Sequence, residues 1–166
     1  MSGLADDRHD WLRAHGPALV LCARQWVGCY ADAEDVFQDA FVRFWRRRDG
    51  VRDPLAYLYR CVRTAAMNHG RTRQRARRRE QEVARGETMF VDQAGAMAAT
   101  ERCGAIQRAL AALPVEQREV VVMKVWGGLT FDAIGETIEI PKPTAYARYR
   151  AAMSALRRAL GREVLE

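Results

Sequence analysis

The sequence lacks any long uninterrupted apolar stretch, and Met1 to His9 is polar and acidic. A helix that crosses a membrane needs about 20 consecutive apolar residues. A secretory leader joins a basic start to an apolar segment. We therefore expect a cytoplasmic protein with no membrane insertion.

The chain also lacks a CxxC pair, although it has four cysteines, Cys22, Cys29, Cys61 and Cys103. This pattern is typical of reduced thiols rather than of a disulfide framework. His15, Cys22 and Cys29 recur every seven residues, but on one helix that step separates neighbours by about 10 Å. One zinc ion cannot bridge such a distance. We predict no metal and no cofactor.

Acidic residues are missing between Pro54 and Arg79, where eight arginines occur. Residues 1–85 contain seventeen arginines and eleven acids, whereas residues 86–166 contain ten basic and ten acidic residues. An unpaired basic run repels itself unless a polyanion lies nearby, which indicates a nucleic acid or an anionic surface. The alternative is a run of solvated charges.

The sequence offers little for catalysis. Asp35 and Asp39 lie one helical turn apart and could hold magnesium in a nuclease, but no base, nucleophile or further ligand accompanies them. Acids near a helix start also stabilise the helix dipole. We predict no catalytic residues and a protein that is not an enzyme. A metal-dependent nuclease is a rival that divalent-dependent cleavage would reveal.

Residues 128–158 predict a helix-turn-helix. Thr130 is a good N-cap for a short helix, and the prolines in residues 139–143 end it in a turn. The first helix places Phe131, Ile134 and Ile138 on one face, and the second places Ala145, Tyr149, Ala152, Leu156 and Leu160 inward. The second helix is basic and suits the major groove. The alternative is a helical hairpin with a solvated charged face.

The first half predicts four helices. Two short ones span Leu4 to His15 and Ala18 to Val27, each closed by glycine. Asp32 is expected to cap the third, whose last turn holds Arg46, Arg47 and Arg48. Its buried face contains Val36, Phe37, Ala40, Phe41, Phe44 and Trp45, which leaves Asp35, Gln38, Asp39 and Val42 for a partner.

The fourth helix is capped by Asp53 and opened by Pro54. Its apolar stripe is interleaved with Tyr57, Tyr59, Arg60 and Arg63. Arginines that hold phosphates beside aromatic rings that stack on bases form a surface for single-stranded nucleic acid. Core tyrosines with a solvated basic end are an equal alternative.

Residues 84–98 are weakly periodic and are interpreted as a linker. Helices follow at Thr100 to Leu113 and at Val115 to Trp126, and we expect them to cradle the helix-turn-helix. The sequence thus predicts an all-α protein of two small helical domains.

The order of these parts resembles a bacterial sigma factor of the extracytoplasmic-function (ECF) group, which has only the second and fourth sigma domains. AEDVFQDAFVRFW is similar to the helix that binds core polymerase, DPLAYLYRCVRTAAMNHGR to the promoter-melting segment, and the sequence from Ala109 to Arg158 to the fourth domain. The resemblance implies sigma domain 2 in residues 1–83, a linker in 84–98 and sigma domain 4 in 99–166.

The resemblance implies a function, partners and site residues. The protein would bind core RNA polymerase, through the clamp helices and flap of its large subunits, and direct it to promoters. Its DNA partners would be duplex promoter DNA and the non-template single strand, and an anti-sigma factor would be a further partner. Core polymerase would contact Asp35, Gln38, Asp39 and Val42. The downstream promoter element would contact Arg52, Tyr57, Tyr59, Arg60, Arg63, Thr64, Asn68 and Arg71, and the upstream element Thr144, Tyr146, Arg148, Tyr149 and Arg150.

Four positions depart from the family pattern. Thr64 stands where asparagine is common, Asn68 where aspartate is frequent, Ala145 where valine is usual and Ala151 where a second arginine is usual. The resemblance therefore leaves the promoter sequence open. The alternative function is a stand-alone helix-turn-helix regulator that binds DNA without polymerase, commonly as a dimer on paired half-sites.

Overall fold

A computed structural model of the protein describes the backbone of residues 3–80 and 99–163 and the side chains of residues 7–76 and 104–161. Over these ranges the chain forms seven α-helices and one turn of 3-10 helix, Arg48–Gly50, and no strand. The helices are α1 (Gly3–Arg24), α2 (Tyr30–Trp45), α3 (Pro54–Glu80), α4 (Ala99–Ala111), α5 (Val115–Val125), α6 (Phe131–Ile138) and α7 (Lys142–Glu163). The all-α prediction is confirmed. The predicted linker, residues 84–98, lies outside the described residues.

The first helix runs unbroken through Gly16 and Pro17, so the prediction of two short helices here is wrong. Pro17 removes the donor for the carbonyl of Arg13, but both residues lie on the exposed side, where water can hydrate that carbonyl. Gly16 is buried, and a Cβ atom there would stand 3.8 Å from the ring of Phe37. Packing on α2 therefore maintains the helix where local propensity favours a break.

Helix α2 begins earlier than predicted, because its N-cap is Cys29 rather than Asp32. The Sγ atom of Cys29 accepts a hydrogen bond of 3.4 Å from the backbone N–H of Asp32. Asp32 lies in the first turn, where its charge favours the positive end of the helix dipole. The helix ends at Trp45, so the arginines at 46–48 follow it and do not form its last turn.

Two predicted caps are confirmed. The Oδ1 atom of Asp53 accepts a 3.0 Å hydrogen bond from the N–H of Ala56 at the start of α3. The Oγ1 atom of Thr130 accepts a 3.1 Å hydrogen bond from the N–H of Ala133 at the start of α6. Each bond satisfies one backbone donor that the first helical turn leaves unpaired.

Helices α1, α2 and α3 pack around a core formed by the apolar face predicted for α2. Phe37, Phe41 and Phe44 are buried in it, while Trp45 is only partly buried. A second apolar cluster joins α4, α5 and α7 and contains Ala109, Leu110, Leu113, Val121, Ala152 and Leu156. The described residues include no helix with both the length and the apolar character needed to cross a bilayer.

The first core does not end with the first three helices. Leu58 and Val62 of α3 belong to the same buried cluster as Val122 and Met123 of α5 and Ile134 of α6. Helix α3 packs on α6, and α1 packs on α5. The first unit, α1–α3, is therefore closed against the second unit, α4–α7, an arrangement that the sequence did not predict.

Candidate nucleic-acid and partner interfaces

The outer face of α2 carries the four residues expected to meet polymerase. Asp35, Gln38, Asp39 and Val42 are all exposed, and Val42 retains 49% of its surface. Burial of the opposite face by Val36, Phe37, Ala40, Phe41 and Phe44 fixes this orientation. The helix therefore presents two carboxylates, one amide and one apolar side chain to solvent on one side.

A groove of about 450 Å³ lies beside this face, between α1 and α2. Its lining is largely apolar and consists of Arg8, Leu12, Phe37, Gln38, Phe41, Val42, Trp45 and Arg46. Gln38 and Val42 thus belong both to the groove and to the outer face of α2. An acidic helix face beside an apolar groove provides charge recognition together with apolar surface to bury.

The turn between α2 and α3 is fixed by Arg48. Its guanidinium lies 3.7 Å from the ring centroid of Trp45 and forms a 2.8 Å ion pair with Asp7 of α1. The cation–π contact ties the turn to α2, and the ion pair ties it to α1. Arg52, predicted to contact DNA, is exposed beyond it.

The outward side of α3 holds four of the eight residues predicted for the downstream element. Arg60, Thr64, Asn68 and Arg71 are exposed and recur every three or four positions, so they form one stripe along the helix. Tyr57 is half-buried, with its ring centroid 6.3 Å from that of Phe44. The stripe combines hydroxyl, amide and guanidinium groups without an acidic side chain.

Tyr59 and Arg63 lie on another side of α3, toward the second unit. Tyr59 is fully buried, and burial raises the pKa of its phenol, which therefore stays neutral. Arg63 donates hydrogen bonds of 2.7 Å and 3.3 Å to the carboxylate of Glu119 in α5. In this arrangement neither residue belongs to the exposed stripe.

The helix-turn-helix forms as predicted, from α6, a turn at 139–141 and α7. Glu139 ends α6 with φ 60° and ψ 45°, a left-handed conformation that non-glycine residues adopt at a cost. Gly135 allows the turn to approach α6, because a Cβ atom there would lie 2.7 Å from the carbonyl oxygen of Ile140. The close approach fixes the direction in which α7 leaves the turn.

The residues of α7 that were predicted to bind DNA differ in how far they are buried. Tyr146 and Arg150 are exposed, whereas Thr144, Arg148 and Tyr149 are partly buried. The rings of Tyr146 and Tyr149 both contact Phe131 of α6 edge-on, at 5.3 Å and 5.4 Å between centroids. The predicted inward residues Ala145, Ala152 and Leu156 are buried, while Tyr149 and Leu160 are partly so. Tyr149 therefore supports the packing of α7 as well as lying near its outer surface.

Polar contacts join the two units around the shared core. Arg60 of α3 forms an ion pair with Glu139 at the turn. The Nε atom of Arg118 in α5 donates a 2.6 Å hydrogen bond to the side chain of Gln25, and the hydroxyl of Thr137 donates a 3.3 Å bond to the carbonyl of Ala56. The interface is thus formed by charged groups as well as by apolar ones.

Sequence reasoning missed the second-unit side of this interface. Arg118 and Glu119 are both buried, within a helix whose following residues, Val120, Val121 and Val122, are buried too. Charged residues are rarely fully buried unless they are paired. Two adjacent charged residues directly before an apolar run could therefore have indicated a buried ion pair or hydrogen bond, although the sequence did not identify their partners.

The described residues contain no cluster of three or more His, Cys, Asp or Glu side chains placed to hold a metal ion. Cys22 is buried, and Cys29 and Cys61 are partly buried free thiols. Burial, with Glu119 nearby, raises the pKa of the Cys22 thiol to about 12. The side chain of Cys103 lies outside the described residues.

Comparison with known proteins gives the chain two family matches. Residues 11–76 match Sigma-70 region 2, and residues 103–156 match Sigma-70, region 4. The ECF RNA polymerase sigma factor SigW of Bacillus subtilis (strain 168) is 30% identical over 152 residues, which cover 84% of this chain and 81% of that protein. The two matched regions include α2, α3 as far as residue 76, and the helix-turn-helix as far as residue 156.

Two solved structures share the fold. The sigma factor RpoE, in complex with the anti-sigma factor NepR from Bartonella quintana, has a TM-score of 0.74 and 22% identity, covering 94% of this chain and 97% of that one. CnrH, in complex with the cytosolic domain of CnrY, has a TM-score of 0.62 and 22% identity, covering 96% and 91% respectively. From its two regions and its curated relative, the chain belongs to the ECF group of RNA polymerase sigma factors, which direct core polymerase to promoters.

Proposed function

We propose that three surfaces of the protein act in transcription initiation, one by binding polymerase and two by binding promoter DNA. The outer face of α2, with Asp35, Gln38, Asp39 and Val42, binds the clamp helices of the polymerase, and the second unit binds the flap. The downstream element contacts α3 and the turn before it, and the upstream element contacts α7. The functional units are residues 1–83, the linker 84–98 and residues 99–166.

The proposed polymerase-binding site is supported by two exposed carboxylates that lie beside an apolar groove. Asp35 and Asp39 are exposed and belong to none of the ion pairs found within the described side chains. An oppositely charged partner would bind favourably to these two like charges, and burial of the neighbouring apolar groove would add to the free energy of binding. A basic helical partner would satisfy both requirements.

Binding to purified core RNA polymerase tests this site. We expect Asp35→Arg/Gln38→Ala/Asp39→Arg to abolish tight binding while the protein stays helical. The control Asp10→Arg/Glu116→Arg makes the same change in net charge at two other exposed acids and should bind as the wild type does. Equal loss in both variants would show a general charge effect and refute the assignment.

The DNA surfaces require arginines that meet phosphates. We propose that Arg71 in α3 and Arg150 in α7, both exposed, contact the promoter backbone. Each phosphate contact contributes about one to the slope of log affinity against log salt. Alanine at either position should lower that slope for the polymerase holoenzyme on promoter DNA, while Arg157→Ala, at another exposed site on α7, should leave it unchanged. If the salt dependence of binding is unchanged in Arg71→Ala and Arg150→Ala, these two arginines do not contact the promoter phosphates.

Binding, not catalysis, is the proposed activity, and cytoplasm is the proposed location. An anti-sigma protein is a further proposed partner, supported by the solved complexes of two proteins with the same fold. Recovery of such a partner with the tagged full-length chain would support it, and its repeated absence from cells of the source organism would count against it. Promoter recognition without polymerase would favour the stand-alone regulator instead.

A further inference from the structure

The segment that joins α2 to α3 is held at both ends. Arg48 begins it with a turn of 3-10 helix, and Asp53 ends it by capping α3. The four residues between them, 49–52, form a tip of which three are exposed. In the proposed function, the downstream promoter element contacts this tip through Arg52. The shape of the tip depends on how firmly its two ends are held.

The side chain of Arg48 is held by groups from three parts of the chain. Its guanidinium lies 3.7 Å from the ring centroid of Trp45 and forms a 2.8 Å ion pair with Asp7 of α1. Its Nε atom lies 3.4 Å from the carboxylate of Asp49. Only 18% of the side chain is exposed, although the residue stands in a surface turn. An aromatic ring and a carboxylate that contact the same rigid, planar group restrict its movement more than either contact would alone.

The same contacts turn Arg48 away from any bound DNA. Arg46, Arg47 and Arg48 form one basic run in the sequence, but the first two are exposed whereas Arg48 is partly buried. A phosphate could bind its guanidinium only by displacing the carboxylate of Asp7. Arg48 is therefore suited to supporting residues that contact DNA rather than to contacting DNA itself.

The middle of the tip has little support of its own. A Cβ atom at Gly50 would meet nothing within 4 Å among the described residues. A site that distinguishes one base from another needs its contacting groups held within about 0.5 Å of the productive geometry. A loosely held tip could adapt to the wrong base, and the difference in affinity between correct and incorrect bases would then fall. Discrimination should thus depend on the anchored ends of the segment.

We propose that Arg48 and Asp7 are positioning residues for the downstream promoter element. They hold the tip so that Arg52 and the start of α3 meet the DNA in one geometry, and they do not contact the DNA themselves. The inference rests on the proposed role of the tip in DNA binding. It gives α1 a part in promoter discrimination, through an ion pair that spans 41 positions of sequence.

In vitro transcription by the reconstituted holoenzyme tests the proposal. The template is a promoter that the wild-type holoenzyme selects from random DNA, and two barcoded libraries then randomise either its downstream or its upstream element. Sequencing of the transcripts gives a discrimination factor at each position, which is the ratio of yields between the best and the worst base. Affinity for core polymerase is measured in parallel, because Trp45 also lines the groove beside the proposed polymerase site.

Arg48→Ala and Asp7→Asn should each lower discrimination at the downstream element at least about threefold, because small misplacements of contacting groups are costly. Discrimination at the upstream element should stay as in the wild type. The controls Arg13→Ala and Asp10→Asn make the same charge changes at exposed residues of α1 and should leave both elements unaffected. Equal losses at the two elements, or equal losses in the controls, would show a general effect of stability or charge and overturn the inference.

Salt dependence separates positioning from direct contact. A residue that binds a phosphate contributes about one to the slope of log affinity against log salt. Arg48→Ala should leave this slope unchanged for the holoenzyme on the selected promoter, whereas Arg71→Ala should lower it. A lower slope in Arg48→Ala would mean that Arg48 binds a phosphate, which contradicts a positioning role.

The two residues should also act as one unit. Arg48→Ala/Asp7→Asn should lose no more discrimination than Arg48→Ala alone, because either change breaks the same ion pair. Arg48→Lys keeps a cation but lacks the planar group, so it should retain part of the discrimination. Independent, multiplying losses in the double variant would overturn the joint role.

Arg52→Ala separates this inference from the proposed function. Loss of downstream discrimination in Arg52→Ala, with none in Arg48→Ala or Asp7→Asn, would overturn the positioning role and leave the tip as a DNA contact. Full downstream discrimination in all three variants would overturn both the positioning role and the proposed contact at the tip.

Discussion

The carboxylate of Glu119 accepts two hydrogen bonds from the guanidinium of Arg63, at 2.7 Å and 3.3 Å, across 56 positions of sequence. The contact joins α5 to α3 and places a charged pair beside the apolar core. Both matched sigma regions contribute one partner. Its strength therefore bears on how firmly the two units stay together.

Truncating either member of this pair should destabilise the protein. We expect Glu119→Ala and Arg63→Ala each to lower the free energy of unfolding by about 2 kcal/mol, below the range for fully buried pairs because Arg63 retains some exposure. The double variant should lose less than the sum, with a coupling of about 1 kcal/mol or more. Urea denaturation measures all three, and strictly additive losses would show that the pair contributes no interaction energy.

Glu139→Gly should stabilise the fold. Glycine adopts φ 60° without the strain that glutamate bears, and the exposed pair with Arg60 offsets only part of the gain. The expected net increase is about 0.5–1 kcal/mol in the free energy of unfolding. The control Glu136→Gly makes the same substitution inside α6 and should cost about 1 kcal/mol. A loss of stability in Glu139→Gly would show that the ion pair outweighs the strain.

Gly70→Ala should be strongly destabilising. A Cβ atom at Gly70 would lie 2.4 Å from the carbonyl oxygen of Trp26, a backbone atom that cannot rotate away. We expect a cost of about 2 kcal/mol or more in thermal or urea unfolding. Gly161→Ala in α7 meets nothing within 4 Å and should gain up to about 1 kcal/mol from helix propensity. Equal effects at the two positions would contradict the close approach of α3 to the backbone of Trp26, just after α1.

Cys22 should make stability fall at high pH. Burial raises the pKa of its thiol from 9.0 to about 12, so the unfolded thiol loses its proton before the folded one does. Stability should decline as pH rises above 9.0, at about 1.4 kcal/mol per pH unit once the unfolded thiol is ionised. Cys22→Ala should remove this part of the slope in urea denaturation series. An identical slope in both proteins would refute the assignment.

Helix caps and apolar periodicity predicted much of the fold, because both depend on residues close in sequence. Thr130 and Asp53 cap the helices that they were expected to cap. Local reasoning was wrong where packing overrode it. Pro17 lies inside a continuous helix, and a cysteine sulfur at Cys29 caps α2 although oxygen-bearing side chains are the usual choice.

In the candidate surfaces, too, some exposed residues could be predicted from one helix alone, whereas the burial of others depends on tertiary packing. The α2 face opposite its phenylalanines is exposed as predicted, since one helical period determines both sides. Tyr59 and Arg63 were grouped with the other residues expected at the downstream element, but their neighbours in the second unit bury them. No periodicity within α3 could identify those neighbours.

The sequence by itself determined most of the helices, most of their buried faces, the helix-turn-helix and the resemblance to the ECF sigma factors. These properties follow from side-chain spacing, capping chemistry and motif order within short segments. Only the tertiary structure decided that α3 closes against α5 and α6, with Arg60 and Arg63 paired to Glu139 and Glu119. Such pairs form between residues that are distant in sequence, and they depend on how the helices pack. Local sequence patterns therefore cannot predict them.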